Sequence, residues 1–236
     1  MFGENSPLSI RLGFTNVFLT ECDGGYLLVD TSYTDQYDHF KTELRSMGID
    51  LHQIKYVLLT HHHDDHAGFV RPLIQEIGAR LIVHENALPN LEKGVHYMDM
   101  LYLNTCTRVT LTLFSLIREH TYPGYSLKDD DIVIQGDEQA LLKEIGVDGE
   151  ILYTLGHTDD SITVLMSNGD AFVGDAAMNF LGFCRIRYRP IVYESLDDVY
   201  QSWERLIERG AITVYSSHGD AFDADKLSQI LQRLDG

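Results

Sequence analysis

Between Thr60 and Gly68 the chain reads THHHDDHAG, four histidines and two aspartates in nine residues, directly after the apolar run IKYVLL. Burying imidazoles and carboxylates without partners is costly, so such a cluster is either solvated and idle or committed to a metal. Spacing decides between the two. His61 and His63 are two apart, and on an extended chain they project the same way and can grip one ion. Asp65 and His66 follow where the chain turns into the next helix, and they point to a second ion nearby. His62 faces the opposite side of the chain and is not expected as a ligand. Three further candidates end predicted strands: His157 in LGHT, Asp175 in VGDA and His218 in SSHGD. Each has a glycine beside it, which lets the backbone turn sharply and present the side chain at a sheet edge. His39, His52, His84, His96 and His120 are read as ordinary surface or core histidines.

The elements that must position these residues are legible from periodicity. SIRLGF, TNVFLTE and GYLLVDTSY read as strands, with Gly24-Gly25 marking a hairpin turn between the last two. A helix is expected around Asp35 to Met47, then a strand from Ile54 to Leu59 that delivers the cluster. The next helix repeats Phe69, Leu73 and Ile77 at four-residue spacing. ARLIVHE is the following strand. MDMLYLNTC reads as helical, whereas RVTLTLF alternates like a strand and could equally continue a helix. The stretch at about 86–130 is irregular and long for a plain loop, so it is read as an insertion within a single domain spanning 1–236. DDIVIQG, GEILYTLGHT and SITVLMSNGDAFVGD are three strand candidates. A helix from about Leu196 to Arg209, the strand AITVYSSHG and a last amphipathic helix carrying Leu227, Ile230, Leu231 and Leu234 close the chain. Strands early and late, each series accompanied by helices, predict an α/β protein with two sheets face to face and helices outside.

Composition narrows the partners. A chain of 236 residues with 44% hydrophobic content buries a sizeable core. Its 18 Lys+Arg against 36 Asp+Glu give a formal charge of −18, which repels phosphate backbones and anionic membrane surfaces. A small-molecule substrate is therefore expected, with no nucleic-acid or membrane partner. The start, MFGENSPLSIRLGF, lacks a basic segment followed by an apolar core, and no apolar stretch reaches the length of a membrane span, so a cytoplasmic protein is expected. Cys22, Cys106 and Cys184 are odd in number, far apart and without CxxC spacing. They are expected as ordinary buried thiols, neither disulfide partners nor zinc ligands.

HxHxDH, read here as His61-x-His63-x-Asp65-His66, followed in order by His157, Asp175 and His218, resembles the metallo-β-lactamase superfamily. The resemblance spans nearly the whole chain, with Asn86 to Asp130 least covered. It implies an αββα sandwich of two mixed β-sheets flanked by helices, with the metal site at one edge of the sheets. It further implies that His61, His63 and His157 hold a first metal, that Asp65, His66 and His218 hold a second, and that Asp175 bridges both. The antibiotic-hydrolysing branch usually lacks that bridging aspartate, so Asp175 points to the branch resembling glyoxalase II, lactonases and related esterases. Asp30, in LLVDTSY, occupies a place where the family commonly has an acid near the site. A role orienting a ligand histidine is implied, with a strand-end turn residue as the plainer alternative.

Two divalent ions bridged by a water lower its pKa toward neutrality and place a hydroxide for attack on a carbonyl or phosphoryl group. That is hydrolysis without a protein nucleophile, and no GxSxG elbow or reactive-cysteine signature is present. Asp65 is expected to orient the hydroxide and pass a proton. Nitrogen and oxygen ligands with open positions suit zinc, with manganese or iron as alternatives. The expected function is a dinuclear metal-dependent hydrolase of a small, anionic ester, thioester, lactone or phosphoester. The alternative is a mononuclear iron enzyme of the persulfide dioxygenase type, for which His61, His157 and Asp175 could supply two histidines and a carboxylate. Met178 stands where the lactonase branch often has a tyrosine, which weakens the acyl-homoserine-lactone reading. Arg185, Arg187 and Arg189 would share one face if their segment is extended and could hold an anionic arm of the substrate. Pairing with surface carboxylates is the plainer reading of them. Met98, Met100, Leu101, Leu111 and Phe114 of the insertion are expected to line a pocket or to form a homodimer contact.

Overall fold

The computed structural model describes residues 7–96, 100–116 and 120–234. β1 (Leu8–Leu12), β2 (Thr15–Cys22) and β3 (Gly25–Val29) form an antiparallel meander, the last two joined by the expected turn at Gly24. Helix α1 (Tyr37–Ser46) crosses back to β4 (Ile54–Leu58), which pairs in parallel with β3. The histidine-rich segment leaves the end of β4 and enters the short α2 (Asp64–Ala67), then α3 (Val70–Ile77) and β5 (Arg80–His84), parallel to β4. Next come α4 (Leu88–Lys93), the two-residue β6 (Leu101–Tyr102) and α5 (Thr105–Ser115). β7 (Ile132–Ile134) then joins β5 in parallel and completes a six-stranded mixed sheet.

The second sheet is also mixed. After α6 (Leu141–Glu144), β8 (Gly149–Tyr153), β9 (Ile162–Met166) and β10 (Asp170–Gly174) pair antiparallel in succession. β11 (Val192–Tyr193) pairs with β6 away from both large sheets. Helix α7 (Leu196–Glu208) leads to β12 (Thr213–Ser216), parallel to β10, and β13 (Phe222–Asp223) and α8 (Asp225–Leu234) end the fold.

Alternation along the strands builds three apolar layers, because successive side chains leave a strand on opposite faces. On β3, Leu28 packs with Phe40 of α1 and Ile74 of α3, whereas Leu27 and Val29 pack against the second sheet. Phe172 of β10 joins that inter-sheet core with Ile162 and Val164, whereas its neighbours Ala171 and Val173 pack on Trp203 and Leu206 of α7 and Leu227 of α8. Helix, sheet, sheet, helix is the αββα order expected. A fourth, smaller cluster of Met178, Cys184, Ile186 and Ile191 lies outside this stack, against Leu111 of α5.

Two local expectations are corrected and one open choice is settled. Met100 to Asn104 of MDMLYLNTC is not helical: Leu101 and Tyr102 form β6, and the helix starts at Thr105. The open choice for RVTLTLF falls to helix because Asn104 caps it. The Asn104 side chain accepts from the Thr107 N–H, and the Thr107 hydroxyl oxygen accepts from the Asn104 N–H, satisfying donors that a helix start leaves open. SITVLMSNGDAFVGD is two strands, β9 and β10, not one. The cysteine reading is corrected as well: Cys106 and Cys184 form a disulfide across a sequence separation of 78. Sequence distance hid it, since the fold lays the first turn of α5 against the loop after β10. Cys22 alone is a free thiol, and burial pushes its pKa up to about 11.

Candidate metal centre

The seven expected ligands come from four separate segments, and the structure brings all of them to one edge of the two sheets. His61, His63, Asp65 and His66 follow β4, His157 follows β8, Asp175 follows β10 and His218 follows β12. Two glycines make the approach possible. Gly174 adopts a φ of +53° with Thr60 packed where a Cβ would stand, and Gly219 adopts a φ of +94° against the Asn179 carbonyl. Trp203 adds a clamp: its indole N–H donates to the carbonyl of Ala176, the residue after Asp175, at 2.8 Å.

His61 Nε2, His63 Nδ1 and His157 Nε2 form a near-equilateral triangle with edges of 3.1, 3.1 and 3.2 Å. Ligands about 2.05 Å from a tetrahedral zinc ion stand about 3.3 Å apart, so the triangle fits one face of such a site. Asp65, His66 and His218 make a second group, with His218 Nε2 3.1 Å from Asp65 Oδ2 and His66 Nε2 3.7 Å from Asp65 Oδ1. Asp175 stands between the groups. Its Oδ1 is 3.4 Å from both His66 Nε2 and His218 Nε2, and its Oδ2 is 3.7 Å from His157 Nε2.

The outer ring nitrogens decide which atoms are donors. His157 Nδ1 lies 2.9 Å from the Val192 carbonyl and His218 Nδ1 2.8 Å from the Phe14 carbonyl. A carbonyl only accepts, so each Nδ1 carries the proton, and each ring in its neutral form turns a bare Nε2 lone pair inward. His66 Nδ1 donates likewise to Asp30 Oδ2 at 2.8 Å. His61 Nδ1 lies 3.1 Å from the Thr60 hydroxyl oxygen, whose own proton goes to Asp30 Oδ2 at 2.7 Å. Asp30 thus orients ligand histidines, and the plain turn-residue reading is set aside. Its other oxygen accepts from the Thr60 N–H at 2.7 Å. Inside the cluster His66 Nε2 and Asp175 Oδ1 are buried without a hydrogen-bond partner. Buried lone pairs converging without donors fit divalent cations, and a donor set of nitrogen and oxygen alone suits zinc, manganese or iron.

The electrostatics separate the two groups. Burial, reinforced by neighbouring imidazoles, holds the pKa values of His61 and His63 well below the ordinary range. Burial acts the same way on His218, but the Asp175 and Asp65 carboxylates outweigh it and push that ring up to about 10. Burial likewise opposes a charged His66, and Asp175, Asp30 and Asp65 outweigh it and raise that ring. Asp175 and Asp65 are held below the carboxylate range, since His66 and His218 outweigh the cost of burial. The carboxylate-rich half therefore attracts positive charge, whereas the all-histidine half offers neutral donors.

The other expected residues lie elsewhere. His62 faces away as expected, paired with Asp160 at 3.0 Å. The arginines are corrected: Arg185, Arg187 and Tyr188 have φ values of +55°, +51° and +65°, so the segment is not extended. Arg185 and Arg187 border a separate depression with Met178 and Asn179, and none of the three arginines lines the cavity over the ligand cluster. Arg189 is spent on the Ile186 carbonyl at 3.0 Å. Leu111 and Phe114 line the cavity as expected, Met100 borders a smaller adjoining one, Leu101 is exposed, and Met98 lies outside the described residues.

The sequence reading missed His96 and His120. His96 stacks on His63 with ring centroids 3.7 Å apart, and its Nδ1 lies 2.8 Å from Asp64 Oδ1. His120 Nδ1 is 3.5 Å from the other Asp64 oxygen. Burial disfavours a charged Asp64, but these two histidines outweigh it and keep the carboxyl well below its usual range. No spacing signal in the irregular insertion could have found this wall of the cavity.

The sequence profile of the Metallo-beta-lactamase superfamily matches residues 10–218. A lactamase-like protein of Pestalotiopsis microspora is 27% identical over 222 residues, 93% of this chain and 53% of that protein. The Beta-lactamase-like protein 2 homolog of Caenorhabditis elegans is 21% identical over 94% of this chain and 61% of its own length. The chain thus spans between about half and three-fifths of these relatives. Among solved structures, a metallo-beta-lactamase family protein from Thermus thermophilus superposes with a TM-score of 0.67 at 21% identity, over 97% of this chain and 78% of that one. An archaeal superfamily protein from Sulfolobus tokodaii gives 0.64 at 20% identity, over 98% and 86%. At such identities the likeness speaks for the fold alone.

Proposed function

The chain belongs to the metallo-β-lactamase superfamily, and from that premise we propose that it is a metal-dependent hydrolase carrying two divalent ions, zinc by preference, and cleaving a small ester, thioester, lactone or phosphoester. The observation that carries this reading is the convergence of buried donor atoms in two groups, His61, His63 and His157 in one and Asp65, His66 and His218 in the other, with the Asp175 carboxylate between them. His61, His63 and His157 would hold one ion, Asp65, His66 and His218 the other, with Asp175 shared. When bound, such a pair supplies Lewis-acid polarisation of the scissile group and a water acidified toward neutrality.

The chain's own residues do the rest. Asp30 and the carbonyls of Val192 and Phe14 fix the ring orientations, so the donors are set before substrate arrives. Asp65 lines the cavity beside His218, placed to take a proton from the attacking water and return it to the leaving group. Apolar walls keep bulk water from the reacting group. On the outer side of α5 and just beyond its end, Val109, Leu113 and Leu116 are exposed, which supports a homodimer contact through the insertion.

The test is a panel of ester, thioester, lactone and phosphodiester substrates on protein loaded with zinc, manganese or iron, run in air and anaerobically. The proposal expects turnover that needs no oxygen and survives exchange of iron for zinc. Oxygen consumption tracking iron content would assign the protein to iron-dependent oxygen chemistry instead.

A further inference from the structure

We propose that the cavity over the ligand cluster receives an uncharged, apolar arm of the substrate, a medium-length alkyl chain or an aryl group, selected by Phe14, Leu111, Phe114 and Phe180. The inference rests on the hydrolase reading and specifies its substrate class.

The cavity has a volume of about 250 Å³ and two unlike sides. Its floor is the cluster of His63, Asp65, His157, Asp175 and His218. Facing it are Phe14 from the turn between β1 and β2, Leu111 and Phe114 from α5, and Phe180 after β10. The three phenylalanines form one aromatic surface: Phe14 lies 6.0 Å, centroid to centroid, from both Phe114 and Phe180. Phe180 in turn lies 5.8 Å from the His218 ring. An arm seated on this surface therefore leaves its attached functional group directly beside the floor.

The wall disfavours the rival occupant. Among the described residues no lysine or arginine lines the cavity. An anionic arm laid along Phe14, Leu111, Phe114 and Phe180 would leave water for apolar surface, with no described guanidinium or ammonium group on that side to pair with it. An alkyl or aryl arm gains from the same burial. Size sets the length: ligand cavities run from roughly 300 to 1,000 Å³, so one of about 250 Å³, just below that range, suits a medium arm better than a long acyl chain.

The wall is also held in place. The Cys106–Cys184 disulfide joins the first turn of α5 to the loop after β10, and the Asn104 side-chain amide donates to the Cys184 carbonyl at 3.0 Å. A wall fixed before binding loses less entropy when the arm docks.

The test uses the metal-loaded protein and ethyl esters of acetate, butyrate and hexanoate, with monoethyl succinate as anionic counterpart and proton release as the readout. The expected result is a kcat/KM that rises about fourfold per methylene, from about 0.8 kcal/mol per buried CH₂, with the succinate at least about tenfold below butyrate. Phe114→Ala should flatten the rise to about twofold or less per methylene with metal content unchanged. Leu111→Ala serves if that variant does not fold. A second arm needs no turnover: calorimetric binding of 1-hexanol and of 6-hydroxyhexanoate, with hexanol preferred by the wild type and weakened in the variants. A flat chain-length series, a preference for the succinate, or equal binding of hexanol and hydroxyhexanoate would overturn the proposal. If no ester turns over while hexanol binds in a Phe114-dependent way, the hydrolase reading fails and the apolar-arm assignment stands.

Discussion

The floor and the wall of the cavity are built by opposite means. Every floor residue follows the end of a core strand and is buried, and fixed partners stand behind three of the ligand histidines: Asp30 behind His66, Val192 behind His157, Phe14 behind His218. The wall is an appendage. Helix α5 buries Leu111 and Phe114 only partly, leaves Val109 and Leu113 in solvent, and is tied by one disulfide to the loop after β10. Reaction chemistry resides where the three-layer core fixes geometry, and selectivity resides where the chain adapts without disturbing that core.

If the division is right, substitutions on the floor strike metal and turnover, and substitutions on the wall change selectivity and leave the metal in place. The largest effect belongs to Asp175→Ala. Removing the carboxylate shared by both groups should empty both positions and lower kcat/KM by more than the ~100-fold that marks the loss of an outer partner, as read by elemental analysis and kinetics. Asp30→Asn comes next. The amide is a poorer acceptor for His66 Nδ1–H, so metal affinity should fall by about 10- to 100-fold with the fold retained, as measured by competition with a chelator.

Acidity tests the electrostatic split within the floor. In the metal-free protein His218 keeps its proton up to about pH 10, against an ordinary 6.5, so metal uptake at pH 7–8 must displace it. Affinity should therefore rise with pH, about tenfold per unit for each proton displaced, and calorimetry in buffers of different ionisation enthalpy should record proton release. The sign for stability follows. A raised pKa stabilises the metal-free fold fully below pH 6.5, and that contribution is lost as pH climbs toward 10. Thermal melts of the metal-free protein should decline over that window, whereas the loaded protein, with the proton displaced, should not follow.

The smallest effect is on the wall. Cys106→Ser should cost about 2 kcal/mol of stability and raise KM for cavity-filling esters several-fold, with metal content unchanged. A loss of metal in that variant would break the comparison, because it would show the wall supporting the floor.

The same division explains what was legible in the sequence. The floor was readable because a metal site demands particular residue types and because strands expose their ends at regular intervals. HxHxDH after an apolar run and three strand-end motifs named the seven residues that the structure gathers at the strand ends. Asp30 was legible only as a possibility, since nothing local says that a strand-end aspartate faces a ring 36 residues away. The wall was legible only in part: Leu111 and Phe114 were expected in a pocket or a dimer contact and line the cavity, but the rest left no trace. His96 and His120 have no spacing relation to Asp64, and the Cys106–Cys184 pairing depends on a contact that only the folded chain creates. The arginines failed for a backbone reason: spacing by two shares a face only in an extended segment, and left-handed turns at Arg185 and Arg187 abolish that.

The central claim is that the strand ends build a two-ion centre shared through Asp175. Anomalous diffraction at the zinc edge from crystals of the zinc-loaded protein tests it most directly. The account predicts two peaks, one within bonding distance of His61, His63 and His157 and the other of Asp65, His66 and His218, with an Asp175 oxygen on each. A single peak, or two peaks with Asp175 bound to neither, would contradict it.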